Sequence, residues 1–180
     1  MAEVLRLGDC MEVMRQFVAE GLKFDLIYTY PPYDISATNG GGSMHKSGKL
    51  SSLKELAEAK INKGYDIEEF GELALKLQDN VNMYCMPQSY DDARTVYQAP
   101  INAKDKKLYG HPTIKPLDAV MRHIRNSSKE NDLVFDPFMG SGTTGVACKD
   151  LGRNFVGVEI DENYFNIAKG RIENGHTETL

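Results

Sequence analysis

Leu133-Val-Phe-Asp-Pro-Phe-Met-Gly-Ser-Gly-Thr-Thr-Gly145 is the stretch that decides the fold. Leu133 to Phe135 is apolar and β-rich, too short for a helix, and Asp136-Pro137 stops it. A buried strand is therefore predicted. Gly140 and Gly142 allow a tight turn and leave space for a ligand to approach the backbone without meeting a Cβ. From Thr143 the pattern turns helical, which aims the free N–H groups of a first turn at whatever lies over the glycines. Strand, turn and helix together predict a small-molecule cradle.

Outward from this stretch the chain alternates. After the helix Thr143 to Leu151, Gly152 caps, and Asn154 to Ile160 predicts another strand. Acidic Asp161-Glu162 then leads into a helix from Asn163 to Ile172, with Phe165, Ala168 and Ile172 facing inward. Upstream, His111-Pro-Thr-Ile-Lys-Pro116 is a stiff turn entering a helix at Pro116. Leu117, Val120, Met121 and Ile124 form that helix's apolar face, and Asn126 to Asp132 predicts a loop. At the start of the chain, Val4 to Leu7 predicts a strand ending at Gly8-Asp9. Cys10, Val13, Met14 and Phe17 have the spacing of a helix face, and Phe24 to Tyr30 predicts a second strand that Pro31-Pro32 ends. These first elements read as a βαβ unit with parallel strands.

The middle is less regular. Residues 36–64 are rich in glycine and lysine and predict a mobile lid. Ile67 to Leu77 predicts a helix with Phe70, Leu73, Ala74 and Leu77 on one stripe. Val81 to Cys85 has strand character cut short at Pro87. Residues 78–110 form a short linker or recognition region, and the abrupt Cys85-Met-Pro87 join suggests an internal deletion within Val81 to Tyr97. The fold class expected is α/β, a mostly parallel sheet with helices on both faces, in a single domain over 1–180.

Composition sets limits on function. The chain has 180 residues, 41% of them hydrophobic and 26% charged, an ordinary globular balance. No apolar run approaches the roughly 18 residues of a membrane span, and the N-terminus lacks a signal pattern, so no membrane partner is expected. Three scattered cysteines, Cys10, Cys85 and Cys148, fit neither a disulfide framework nor a metal site, and a cytoplasmic location is expected. A net charge of −5 gives no sign of strong nonspecific nucleic-acid binding, although the lysines between 46 and 63 and at 104, 106 and 107 could form local patches.

In parallel α/β sheets ligands bind beyond the carboxyl ends of the strands. Four such ends carry suggestive residues: Asp9, Tyr30-Pro-Pro-Tyr33, Asp136 with its glycine turn, and Glu159. Glu159 follows Gly140 at close to the ~20-residue spacing at which an acid meets ribose hydroxyls, although a helix-capping acid is the alternative. Gly140-x-Gly-x-x-Gly145 by itself does not separate a nicotinamide enzyme from a methyltransferase. Pro31-Pro32-Tyr33 does discriminate. Two prolines after a buried strand leave a carbonyl that a ligand's N–H can meet, and Tyr33 offers a flat face for a planar ligand.

With these residues in view, the chain resembles the DNA amino-methyltransferases of the permuted group, in which the Pro-Pro-Tyr motif precedes the glycine loop. The resemblance is carried by Leu7-Gly-Asp-Cys-Met, Tyr30-Pro-Pro-Tyr-Asp, His111-Pro-Thr-Ile-Lys-Pro, Asp136-Pro-Phe-Met-Gly-Ser-Gly-Thr-Thr and Gly157-Val-Glu-Ile-Asp. It implies a Rossmann-like methyltransferase fold and an S-adenosylmethionine cofactor. Asp136, Phe138, Gly140, Ser141 and Gly142 would surround the methionine part, Glu159 would bind the ribose and Asp9 would lie by the adenine, with Thr143 also among the cofactor-binding residues. Thr113 and Lys115 would close the pocket. No metal is implied. The partner would be double-stranded DNA in a bacterial or phage-infected cell, as in restriction-modification, and a homodimer is a plausible arrangement. A target base would be flipped out, stacked on Tyr33 and held by the Pro31 carbonyl and the side chain at position 30, with Pro32 fixing the turn. Adenine N6 is the expected target and cytosine N4 the near alternative.

This sequence departs from the family at position 30, usually Asp, Asn or Ser but here Tyr. A phenol is a weaker acceptor than a carboxylate and its ring reaches further. The segment between Tyr33 and His111 is also short for base-specific readout. Both departures raise the alternative of a cofactor- and DNA-binding relic without turnover. His111 reads as a turn residue rather than a base, since amine methylation requires no dedicated histidine.

Overall fold

The computed structural model describes residues 2–31, 65–85 and 114–175. Five strands are present among them: β1 (Glu3–Leu7), β2 (Leu26–Thr29), β3 (Met83–Cys85), β4 (Leu133–Asp136) and β5 (Asn154–Glu159). The helices are α1 (Cys10–Ala19), α2 (Ile67–Lys76), α3 (Leu117–Ser127), α4 (Thr143–Asp150) and α5 (Glu162–Asn174). All neighbouring strands are parallel, in the order β1-β5-β4-β2-β3. The α/β expectation holds, and β4, the strand that opens the glycine turn, occupies the centre.

The expected βαβ unit has its strands parallel, but β1 and β2 are not neighbours, because β5 and β4 lie between them. The physical reason is burial. β4 and β5 are apolar on both faces, so they occupy the middle of the sheet, while β1 presents exposed positions and lies at its edge. A smaller correction concerns 126–132: α3 runs on to Ser127 before the loop begins.

Strand alternation divides the core into two layers. Ile27, Phe135, Val156 and Val158 face α1 and α2, meeting Met14, Phe17, Phe70, Leu73 and Leu77. Phe24 stacks on Phe135 with ring centroids 4.5 Å apart, and Phe17 meets Phe135 edge-on at 5.8 Å. Burying a ring such as Phe135 contributes about 1.5–3 kcal/mol. On the other face Leu26, Tyr28, Val134 and Phe155 pack against Val120, Ile124, Ala147, Ala168 and Ile172 of α3, α4 and α5. The predicted stripe on α2 is buried as expected, with Phe70, Leu73, Ala74 and Leu77 all inside.

Two side-chain clasps fix the layers. His123 of α3 lies between two phenols, Tyr28 Oη 3.1 Å from Nδ1 and Tyr84 Oη 3.3 Å from Nε2, which ties α3 to β2 and β3. Burial, then the neighbouring Arg122, lowers the imidazole pKa. Arg153 donates to both Ser128 Oγ and the Ser128 carbonyl, joining the start of β5 to the end of α3. No helix among the described residues is long and apolar enough to cross a membrane. The three cysteines carry no disulfide.

Candidate functional site

Because all five strands are parallel, their carboxyl ends share one edge, and there the chain gathers most of its candidate residues. β4 ends at Asp136, a buried side chain. Its two oxygens are used separately: Oδ2 accepts from Thr144 Oγ1 at 2.6 Å and Oδ1 from the Phe138 N–H at 3.1 Å. Burial raises the carboxyl pKa from 3.8 to about 7, against the opposing pull of those two donors. Thr144, not singled out in the sequence, is thus the residue that braces Asp136 from α4.

The turn that follows depends on its glycines. Gly140 and Gly142 adopt φ of 52° and 81°, in the left-handed region. A Cβ on Gly142 would also lie 2.9 Å from the Ala168 backbone of α5, so the turn sits against that helix with no room for a side chain. Gly142 is the N-cap residue of α4 and offers no side-chain acceptor to the first turn, although Thr143, Thr144 and Gly145 are buried. The first-turn donors of α4 are therefore available to a ligand. A Cβ on Gly145 would lie 2.8 Å from Ile172 Cγ1 and from Phe155 Cε1, which accounts for the third glycine by packing alone.

Glu159, at the end of β5, reaches back to the same turn. Its Oε2 accepts from the Gly140 N–H at 2.9 Å, while Oε1 accepts from the N–H groups of Ile160 and Asp161, each at 2.9 Å. Glu159 thus holds the chain that leads into α5 and borders the glycine turn, while the cap of α5 itself is Asp161, which accepts from the Tyr164 N–H, so the helix-capping alternative for Glu159 does not hold. Burial raises its pKa, while the N–H groups of Asp161, Gly140 and Ile160 oppose the rise.

Asp9 is exposed and caps α1, accepting from Met11 N at 2.9 Å and Glu12 N at 3.1 Å. Gly8 N donates to the Glu159 carbonyl, which brings the end of β1 beside the end of β5. Phe138 leans on Tyr65 and Phe70, with centroids 5.1 and 5.9 Å away, and so forms the wall toward α2. Cys10 opens α1 in the same region, but burial, reinforced by Asp9, pushes its thiol up to about 12, which disfavours the thiolate.

At the end of β2, next to β4, Tyr30 and buried Pro31 form the second part of the edge. The Lys115 ammonium lies over the Tyr30 ring, with Nζ 3.3 Å from its centroid. Two candidates drawn from different motifs therefore meet, held by a cation–π contact worth about 0.5–2 kcal/mol. The structure brings Asp136, Phe138, Gly140, Ser141, Gly142, Thr143 and Glu159 around one turn, with Asp9 alongside. Pro32, Tyr33 and Thr113 lie outside the described residues, as do His111, the expected lid at 36–64 and the residues of the suspected splice beyond Cys85. The start of that stretch, Met83–Cys85, is a regular strand in register with Ile27–Thr29.

Arg171 of α5 was not legible as a site residue. It is buried, and its Nη1 donates to the Ser141 carbonyl at 2.6 Å, Ser141 Oγ at 3.0 Å and Thr143 Oγ1 at 3.3 Å. A signal did exist: Arg171 falls three positions after Ala168, on the inward side of the helical period.

Comparison with known proteins agrees with this geometry. The chain is 42% identical over 101 residues to the type II methyltransferase M2.LlaDCHI of Lactococcus lactis subsp. cremoris, a match covering 54% of this chain and 38% of that protein. It is 50% identical over 72 residues to the type II methyltransferase M1.MboII of Moraxella bovis, covering 40% of this chain and 27% of the relative. The chain thus spans well under half the length of these curated relatives. Among solved structures, the M1.HpyAVI–SAM complex superposes with a TM-score of 0.55 at 23% identity, over 94% of this chain and 98% of the other. The cytosine-N4-specific PvuII DNA methyltransferase gives 0.50 at 15% identity, over all of this chain and 88% of that one. Both show the shared Rossmann-like fold. The family profile described as DNA methylase matches residues 78–170, which takes in α3, β4, the glycine turn, α4, β5 and most of α5. That match extends over more than half of the chain, and the chain belongs to the DNA methylase family of the N6/N4 type.

Proposed function

We propose that this chain binds S-adenosylmethionine at the Gly140–Thr143 turn and transfers its methyl group to an exocyclic amine of double-stranded DNA, adenine N6 in the first place. The observation that carries this is the arrangement at one sheet edge: donors of α4 and acceptors of Glu159 flank a turn with no room for side chains, and the Tyr30-Pro31 end of β2 adjoins it. A ligand bearing an anion at one end and hydroxyls at the other suits that pairing. The related type II methyltransferases and the SAM-bound M1.HpyAVI support the cofactor choice.

S-adenosylmethionine, when bound, supplies an electrophilic methyl group on a sulfonium. The protein's part is to hold and orient. The α4 first turn with Ser141 and Thr143 would take the carboxylate end, Phe138 would supply an apolar wall, Glu159 would accept from ribose hydroxyls, and Asp9 would lie by the adenine. At the facing edge the Pro31 carbonyl would accept a hydrogen bond from the target amine. That bond keeps the nitrogen lone pair free to point at the donor and stabilises positive charge that develops on the amine.

Lys115 over Tyr30 favours a second reading, a binder with slow turnover. A cation beside an amine that becomes cationic opposes the reaction, and the phenol supplies a poorer acceptor than a carboxylate. Tritiated methyl transfer to duplex DNA, followed by nucleoside analysis, separates N6-methyladenine, N4-methylcytosine and no product. A parallel titration with S-adenosylmethionine tests binding independently of turnover. Saturable binding with slow labelling is the expected pair of results, and absence of binding would refute the cofactor assignment.

A further inference from the structure

We infer that Arg171 is a positioning residue for the carboxylate of the cofactor's amino-acid end, acting from behind the glycine turn. The inference rests on S-adenosylmethionine being the ligand. Arg171 comes from α5, on the side of the turn that packs against that helix, where Gly142 meets Ala168. One guanidinium nitrogen, Nη1, serves the Ser141 carbonyl, Ser141 Oγ and Thr143 Oγ1, so the two residues flanking Gly142 are fastened to a single point. Ser141 and Thr143 are themselves buried, and the contact is poorly reached by solvent.

Two effects follow. The first is geometric: with Ser141 and Thr143 held on either side of it, Gly142 keeps its left-handed φ of 81°, and α4 starts where its first-turn donors face the ligand side. The second is electrostatic. A guanidinium keeps its charge at any working pH, and here that charge lies behind the positive end of the α4 dipole, in surroundings that screen little. Both effects act on the part of the ligand nearest the turn. An anionic carboxylate gains from them, while the adenosine part, which meets Glu159 and Asp9, does not.

That difference gives the test. The probes are S-adenosylhomocysteine, which has the amino-acid end, and 5′-methylthioadenosine, which lacks it. Their dissociation constants are measured calorimetrically on the full chain as wild type, Arg171→Met and Arg171→Lys. Loss of one buried charge-assisted contact set predicts that Arg171→Met weakens S-adenosylhomocysteine about tenfold or more and leaves 5′-methylthioadenosine within about twofold. Arg171→Lys, which keeps the charge and loses the planar fork, should fall between. Should Arg171→Met prove unfolded, the same selective loss in Arg171→Lys carries the test. Equal weakening of both probes means a structural role only, and no weakening of either means no role; each overturns the inference while the cofactor assignment stands. Wild-type protein that binds neither probe overturns the cofactor assignment itself, and the inference with it.

Discussion

Burial holds the Asp136 carboxyl at a pKa of about 7, against an ordinary 3.8. Between those values the folded chain keeps a proton that the unfolded chain has released, so folding stability falls as pH rises through that window and levels off above it. Urea unfolding of the wild type from pH 4 to 8 should show this decline. Asp136→Asn should flatten it, because an amide can still accept from Phe138 N and meet the Thr144 hydroxyl; an unchanged slope in the variant would discount Asp136 as the source. At Tyr30 the expected outcome is a gain. Tyr30→Asp restores a short acceptor and gives Lys115 a carboxylate to pair with, and methyl transfer should rise by on the order of 10²-fold, read as kcat in the tritium assay. A rate unmoved by the substitution would mean that Tyr30 is not what limits turnover. That Asp136 and Glu159 border the glycine turn could be read from sequence, since both are acids at the ends of strands that flank it. Arg171 was missed: its spacing from Ala168 puts it on the inward side of the helix, but only the fold shows that this position faces the turn.

Among the elements, the α4–α5 contact sets how closely the glycine loop can approach. Gly145→Ala would drive a methyl into Ile172 and Phe155, and overpacking of this kind costs about 1–3 kcal/mol. Ile172→Val trims the side chain that is met and costs about 0.5–1.5 kcal/mol alone. If the two truly collide, the double variant loses less than the sum of the single losses in a denaturation cycle, and strict additivity would remove the contact from the account. Helix and strand types were legible from periodicity, including the α2 stripe and the β4 run. The sheet order was not: a local βαβ pattern says that β1 and β2 run parallel, but not that β5 and β4 come between them. That choice is made by burial of both faces of β4 and β5, a property of the assembled sheet.

For the molecule as a whole, cofactor binding is linked to stability. S-adenosylmethionine at a hundredfold excess over its Kd should stabilise the fold by about 2.7 kcal/mol. For a chain of 180 residues that corresponds to a rise in Tm of roughly 5–10 °C, whereas a nicotinamide dinucleotide should give none; the reverse pattern in a thermal-shift experiment would favour an oxidoreductase. The fold class was legible, and so was the gathering of the candidate residues at one edge, because the motifs sit at strand ends and parallel strands share one edge. The departure at position 30 was legible too, but its meeting with Lys115 was not, since those residues belong to motifs far apart in the chain. The same long-range pairing governs how the chain comes together in time. β1 finds its only partner among the described residues in β5, with Glu3 opposite Phe155, and Leu26 of β2 pairs with Val134. Long loops must therefore close before these parallel ladders give any return, which makes folding slow and leaves β1 and β2 as exposed edges until β4 and β5 have been synthesised. During that interval the unpaired edges of β1 and β2 are open to pairing with another copy of the chain.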